Sequence, residues 1–127
     1  MSGKVKTILL IDDDTQILES LEIILESEGY AVETAQSGEE AATKNAAKPF
    51  DAAILDMRLP GMQGTELLAI LNTKSPRMVK IMMTGFPSLE NAVASLKLGA
   101  DAYIMKPVDP EKLIELVTNK IKEKGQT

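Results

Sequence analysis

The chain contains neither cysteine nor histidine. Without a thiol or an imidazole there can be no cysteine nucleophile, disulfide, Ser-His-Asp triad, histidine acid or base, or thiolate or imidazole metal site. A metal could be held only by oxygen, which points to Mg²⁺, Ca²⁺ or Mn²⁺. Tryptophan is absent and aromatic residues make up 3% of the chain, so each aromatic is a candidate core or switch position. There is no Lys/Arg block, and 14 basic against 19 acidic residues leave a net charge of −5, which argues against direct binding to nucleic acid. No apolar run approaches the ~20 residues of a transmembrane helix, and the segment 1–6 is too short and polar for a signal peptide. The expectation is a soluble cytoplasmic protein. Its 127 residues predict one domain, 1–127, that buries roughly two thirds of its unfolded surface.

What is present centres on Asp56. Ala52 to Leu55 is a short continuous apolar run, the pattern of a strand buried on both faces, as in parallel sheets. Leu59-Pro60-Gly61 and Gly64 are turn residues, so the chain leaves the sheet just after the aspartate. In open parallel sheets the chemistry lies beyond the carboxyl ends of the strands, where this places Asp56. A capping role for the aspartate is the plainer alternative.

The same alternation runs along the whole chain. Thr7 to Ile11 is an apolar β-rich run that ends in Asp12-Asp13-Asp14, and Ile17, Leu18, Leu21, Ile24 and Leu25 then form a helical stripe that Gly29 closes. Tyr30 to Ala35 is a less apolar strand, suited to a sheet edge. Ser37 and Glu40 stand in capping-box spacing for a second helix toward Pro49, and Thr65 to Asn72 forms a third with Leu67, Leu68 and Leu71 inward. Val79 to Met83 is the fourth strand and is followed by Thr84-Gly85, a helix from Ser88 closes at Gly99, and Ala102 to Met105 is the fifth strand. The last helix begins near Asp109-Pro110, with Pro110, Ile114, Val117 and Ile121 as its inward stripe and Leu116 off it, a candidate contact residue. Five strands alternating with five helices predict a doubly wound α/β domain with right-handed crossovers.

Past the strand ends stand Asp12 and Asp13, then Asp56, Thr84 and Lys106, all on one sheet edge. Singly, each has a plain reading as a cap, a local turn or a solvated end. Two carboxylates ~4 Å apart repel by ~4 kcal/mol at an effective dielectric near 20, so three ionised Asp side chains need more than one Lys. A hard divalent cation fits, and Mg²⁺ keeps positions open for water and phosphate oxygens. Metal, ammonium, hydroxyl and a free carboxylate oxygen together suit attack of an aspartate on a phosphoryl group.

Asp12-Asp13, Asp56, Thr84-Gly85, Tyr103 and Lys106-Pro107 resemble, in order and spacing, the receiver domain of two-component response regulators, and the match covers nearly the whole chain. The resemblance implies a flavodoxin-like five-stranded parallel sheet of order 2-1-3-4-5 with five helices. It implies that Asp56 takes a phosphoryl group from a sensor histidine kinase or phosphotransfer protein. Asp12, Asp13, Asp56 and the backbone carbonyl of Arg58 would hold Mg²⁺, with Mn²⁺ as a substitute, and Lys106 would pair with the phosphoryl group across a cis bond to Pro107. Thr84 would shift toward the phosphoryl group and let Tyr103 swing inward, altering a face on the last two strand-helix units that meets a downstream target or a second copy. Arg58 and Phe86 occupy positions that tune phosphoaspartate lifetime in the family, and a bulky Phe86 would shield the acyl phosphate from water. Such a domain catalyses its own phosphorylation, with autophosphatase activity within its chemistry, and has no external substrate.

Two rivals remain. A haloacid-dehalogenase-like aspartyl phosphatase also uses a strand-end Asp, Mg²⁺, a hydroxyl and a Lys, but it resembles a D-x-D motif, and Arg58 stands where its second Asp belongs. No cap domain is expected either. A flavodoxin-like cofactor binder would want a Gly-rich phosphate loop after the first strand, where Asp12-Asp13-Asp14 would instead repel phosphate.

Overall fold

Residues 5–85 and 88–125 are described by the computed structural model of the chain. Strand β1 (Thr7–Ile11) leads into α1 (Thr15–Ser27), β2 (Ala31–Ala35), α2 (Gly38–Ala47) and β3 (Ala52–Asp56). A two-residue antiparallel ribbon, β4 (Arg58–Leu59) and β5 (Met62–Gln63), precedes α3 (Gly64–Lys74). Then come β6 (Val79–Thr84), α4 (Leu89–Lys97), β7 (Ala102–Met105) and α5 (Pro110–Gly125). The main sheet has the order β2-β1-β3-β6-β7 and every pairing in it is parallel. This is the doubly wound, flavodoxin-like topology that the sequence implied, with β2 and β7 at the edges. The ribbon is an addition, and Gly61 at φ +72 turns it.

Strict alternation divides the core. Ile8, Leu10, Ile54, Ile81 and Met83 face α1 and α5, where Leu18, Leu21, Leu25, Leu113 and Val117 meet them. Leu9, Ile11, Ala53, Leu55 and Met82 face the other way, toward Leu67, Leu68 and Leu71 of α3. Because β1 and β3 are covered on both faces, their apolar runs are unbroken.

Helix boundaries follow side-chain chemistry. Asp14 caps α1 by accepting from the backbone N of Gln16 and Ile17 at 3.0 and 3.3 Å. Ser37 accepts from the N of Glu40 at 3.1 Å, while the Glu40 carboxylate reaches one residue further back, to the N of Gln36 at 2.9 Å. Ser88 caps α4 through the N of Asn91 at 3.0 Å.

The last helix departs from expectation. Leu113 and Val117 are its fully buried residues and Pro110 is exposed, so the inward stripe is rotated from the one drawn through Pro110. Leu116, expected off the stripe as a contact residue, packs partly buried against the same core. The apolar residues of α5 span a broad arc, and only the position of α1 and β6 beneath it sets the buried centre.

Candidate functional site

The site forms where β1, β3, β6 and β7 end side by side. Asp12 directly follows β1, is fully buried, and anchors its backbone by donating from N to the Ala35 carbonyl at 3.1 Å. Its Oδ1 accepts from the N of Asp14 at 2.9 Å, which fixes the carboxylate so that Oδ2 faces inward. Asp13 is exposed at the rim. Asp56, the last residue of β3, is buried. Lys106 is the first residue past β7 and is held by its N donating to the Thr84 carbonyl at 2.7 Å. The Lys106–Pro107 peptide is cis.

Lys106 Nζ stands 2.8 Å from Asp12 Oδ2 and 3.2 Å from Asp56 Oδ2, so one ammonium bridges two carboxylates. Asp12, Asp13 and Asp56 offer oxygens that all lie within 4.8 Å of one another. Burial pushes the Asp56 carboxyl above its ordinary range and the Asp12 charge adds to this, while Lys106 and the Met57 N–H pull in the opposite direction. Burial disfavours the Lys106 ammonium, but the pull of Asp12 and Asp56 exceeds it and holds that group above the ordinary lysine range. Three carboxylates against one ammonium leave the site short of positive charge. An all-oxygen donor set with that deficit fits Mg²⁺ or Mn²⁺.

The segment after Asp56 is shaped by a close approach. The Met57 N donates to the Met83 carbonyl at 2.9 Å and the Gly64 N donates back to the Met57 carbonyl at 2.8 Å, which closes a loop around the ribbon. A Cβ on Gly64 would lie 2.3 Å from the Asp56 carbonyl oxygen, so only glycine fits. A cleft of about 520 Å³ opens alongside, lined by Met57, Arg58, Gln63, Thr65, Thr84 and Asn91 among others. Arg58 is exposed on the ribbon opposite Gln63. Thr84 is buried as the last residue of β6 and pairs in register with Met105. Tyr103 lies on the α3 side of the sheet, and its hydroxyl is buried with no hydrogen-bond partner among the described residues, unlike a strand tyrosine with a wet hydroxyl. Phe86 lies outside the described residues.

Thus the predicted set converges: Asp12, Asp13, Asp56 and Lys106 share one cluster, with Thr84 and Arg58 beside it. Two residues that hold the surroundings were not picked out from sequence. Ser95 is the single buried residue of α4, and its Oγ lies 3.7 Å from the Met57 Sδ. At the opposite pole, Lys80 is fully buried in β6, with Nζ 2.8 Å from Asn72 Oδ1. A serine at a helical inward position and a lysine inside an apolar strand were the available signals.

Comparison with known proteins gives a consistent picture. The family described as "Response regulator receiver domain" matches residues 8–118. A response regulator receiver domain protein (CheY-like) from Methanospirillum hungatei superimposes with a TM-score of 0.94 at 50% identity, over 97% of this chain and 98% of that one. The beryllofluoride-activated NtrC4 receiver domain dimer is similar at 32% identity and a TM-score of 0.90, over 94% and 99% of the two chains. Among curated proteins, the transcriptional regulatory protein ZraR of Klebsiella oxytoca is 38% identical over 89% of this chain, and the photosynthetic apparatus regulatory protein RegA of Cereibacter sphaeroides is 33% identical over 98%. The chain spans 26% of the length of ZraR and 66% of RegA.

Proposed function

The chain belongs to the receiver domain family of response regulators, and from that premise we propose that it is a phosphorylation switch with Asp56 as the phosphoacceptor. The observation that carries the reading is the bridge of Lys106 Nζ to Asp12 and Asp56 within a cluster of three carboxylates. An Asp56 carboxylate oxygen attacks the phosphorus of a phosphohistidine on a sensor kinase or phosphotransfer protein. The P–O bond forms as the P–N bond breaks, and the departing imidazole keeps the electron pair and takes a proton from water. Lys106 then moves its pairing from the Asp56 carboxylate to the phosphoryl oxygens. Asp12, Asp13, Asp56 and the Arg58 carbonyl are the residues that would hold Mg²⁺ or Mn²⁺, which when bound neutralises phosphoryl charge.

Thr84 borders the cleft beside Met57, so its hydroxyl is suited to bond the phosphoryl group and to couple that event to Tyr103. Support for the switch comes from the buried Tyr103 hydroxyl, which has no hydrogen-bond partner among the described residues to hold it in one position. Phosphorylation adds about −1.5 to −2 charges at the strand ends and biases the outer face of β7, α4 and α5 toward a downstream partner. The setting is cytoplasmic, and among the described residues no helix is long and apolar enough to cross a membrane.

Incubation with acetyl phosphate and Mg²⁺ followed by intact-mass measurement tests this. One phosphate-sized increment is expected, absent in Asp56→Asn and absent when the metal is chelated. An increment that survives Asp56→Asn would overturn the assignment.

A further inference from the structure

At the edge of the sheet opposite Asp56, where β1, β3 and β6 begin, a cavity of about 230 Å³ lies beside the end of α5. Lys6, Arg77 and Lys124 line it together with a single acid, Asp51. Phe50 and Met78, both buried, supply apolar wall. At ~3.3 Å per residue, the five residues of β1 put this cavity about 16 Å from the Asp12 cluster, so the two places are separate.

The acids at this edge are already committed. Asp51 Oδ2 accepts from the Thr7 N at 2.8 Å and from the Thr7 Oγ1 at 3.3 Å. Asp101 Oδ2 accepts from the Lys80 N at 2.8 Å and pairs with Lys124 Nζ at 3.1 Å. Lys124 also donates to the Pro76 and Met78 carbonyls at 3.3 and 3.0 Å, which fixes its ammonium in place. Lysines in the last turns of helices, Lys74 on α3 and Lys122 and Lys124 on α5, offset the negative ends of the helix dipoles. Lys6 and Arg77 cannot be explained that way, because they precede β1 and β6 and lie in no helix. Their charges gather at a cavity although the chain as a whole carries −5.

We infer that this cavity binds the phosphate group of a small phosphomonoester, with Arg77 as the forked partner of two phosphate oxygens and Lys6 and Lys124 as point charges. The Phe50 and Met78 wall takes the carbon part of the ester. A dianion suits three cations against one engaged acid better than a carboxylate does. The volume lies below the ~300 Å³ at which drug-sized pockets begin, so the ligand is smaller than a nucleotide. Bound there, it ties the starts of β1 and β6 to the end of α5 and stabilises the native chain by mass action. The inference does not depend on the phosphoacceptor reading.

Amide chemical shifts of the full chain, followed through titrations with phenyl phosphate, inorganic phosphate and chloride at matched ionic strength, are the test. A chelator keeps metal from the Asp12 cluster throughout. Saturable shifts are expected at Thr7, Asp51, Arg77, Met78 and Lys124, with phenyl phosphate bound about three-fold or more tighter than inorganic phosphate because of the apolar wall. Arg77→Ala weakens binding about ten-fold, the loss of a charge-assisted hydrogen bond, and Arg77→Lys recovers part of it. Lys6→Ala weakens it about two- to four-fold, as removal of an exposed point charge. Unchanged shifts in the rest of each spectrum confirm that the variants are folded. Shifts that chloride reproduces, that centre on Asp12, Asp56 and Lys106, or that spread over every exposed lysine overturn the inference, as does an affinity that Arg77→Ala leaves unchanged. Equal affinity for phenyl phosphate and inorganic phosphate overturns the ester assignment. Binding to phosphatidic acid vesicles without a saturable response to either soluble phosphate overturns a small ligand in favour of a lipid headgroup.

Discussion

The Ser95 hydroxyl lies 3.7 Å from the Met57 sulfur, and through this contact the only buried residue of α4 touches the residue that follows Asp56. A hydroxyl to thioether contact is weak. Its position matters more than its strength, because the rest of α4 contributes little apolar burial and its first residue, Leu89, is 82% exposed.

Ser95→Ala is therefore expected to lower global stability by less than about 1 kcal/mol, since a neutral hydrogen bond of this kind contributes little net. The change should be local. Amide exchange across α4 should accelerate several-fold while exchange in β1 and β3 stays at the parent rate, because weakly packed helices open independently of the core. Uniform acceleration over the whole domain, or none in α4, would contradict this role.

Gly64→Ala addresses the loop behind Asp56. The added Cβ would stand 2.3 Å from the Asp56 carbonyl and 2.7 Å from the Met57 Cα, both backbone atoms that cannot rotate away. A loss of roughly 1–3 kcal/mol is expected from such overpacking. The phosphorylation rate should fall as well, since relief requires moving the backbone that aims the carboxylate. Urea denaturation and acetyl phosphate kinetics measure the two effects.

Lys80 supplies a pH prediction. Its amine is buried against Asn72 Oδ1 at 2.8 Å and the Pro76 carbonyl at 3.4 Å, with Lys124 and Asp101 as the nearby charges. Asp101 is already engaged, accepting from the Lys80 backbone N at 2.8 Å and pairing with Lys124 at 3.1 Å. Burial first, and then the Lys124 charge, push the Lys80 amine down to about 8. Between pH 8 and the ordinary lysine value of 10.5 the unfolded chain binds more protons than the native one, so stability gains up to roughly 1.4 kcal/mol per pH unit there from this group. Below pH 8 the penalty for burying the charge is constant. Lys80→Met should be more stable than the parent at pH 7, and the gap should close as pH rises through that window. Thermal unfolding of both proteins across pH measures it, and parallel curves would count against a buried ammonium.

Much of the site was legible because strand ends advertise themselves. An apolar run that stops at an acid locates Asp12 and Asp56 without knowing what surrounds them, and the same rule reached Thr84 and Lys106. Caps were equally local: Ser37 and Ser88 lie where their spacing to the following helix placed them. Which of Asp12, Asp13 and Asp14 does what was less legible. Asp14 became the cap, Asp13 the exposed rim and Asp12 the buried partner of Lys106, a division set by chain direction as it leaves β1.

By itself, the sequence determined the alternation of strands and helices, the exclusion of thiol and imidazole chemistry, and the set of oxygen and ammonium groups at one sheet edge. These follow from period, composition and turn residues, which act over a few neighbours. Tertiary structure alone decided that Lys106 spans Asp12 and Asp56, that Leu113 rather than Pro110 is turned to the core from α5, that Lys80 is sealed inside, and that Leu89, Val93 and Leu96 of α4 face outward. Periodicity defines a face on a helix but not the direction of its neighbours. That direction is fixed only when distant segments pack against one another.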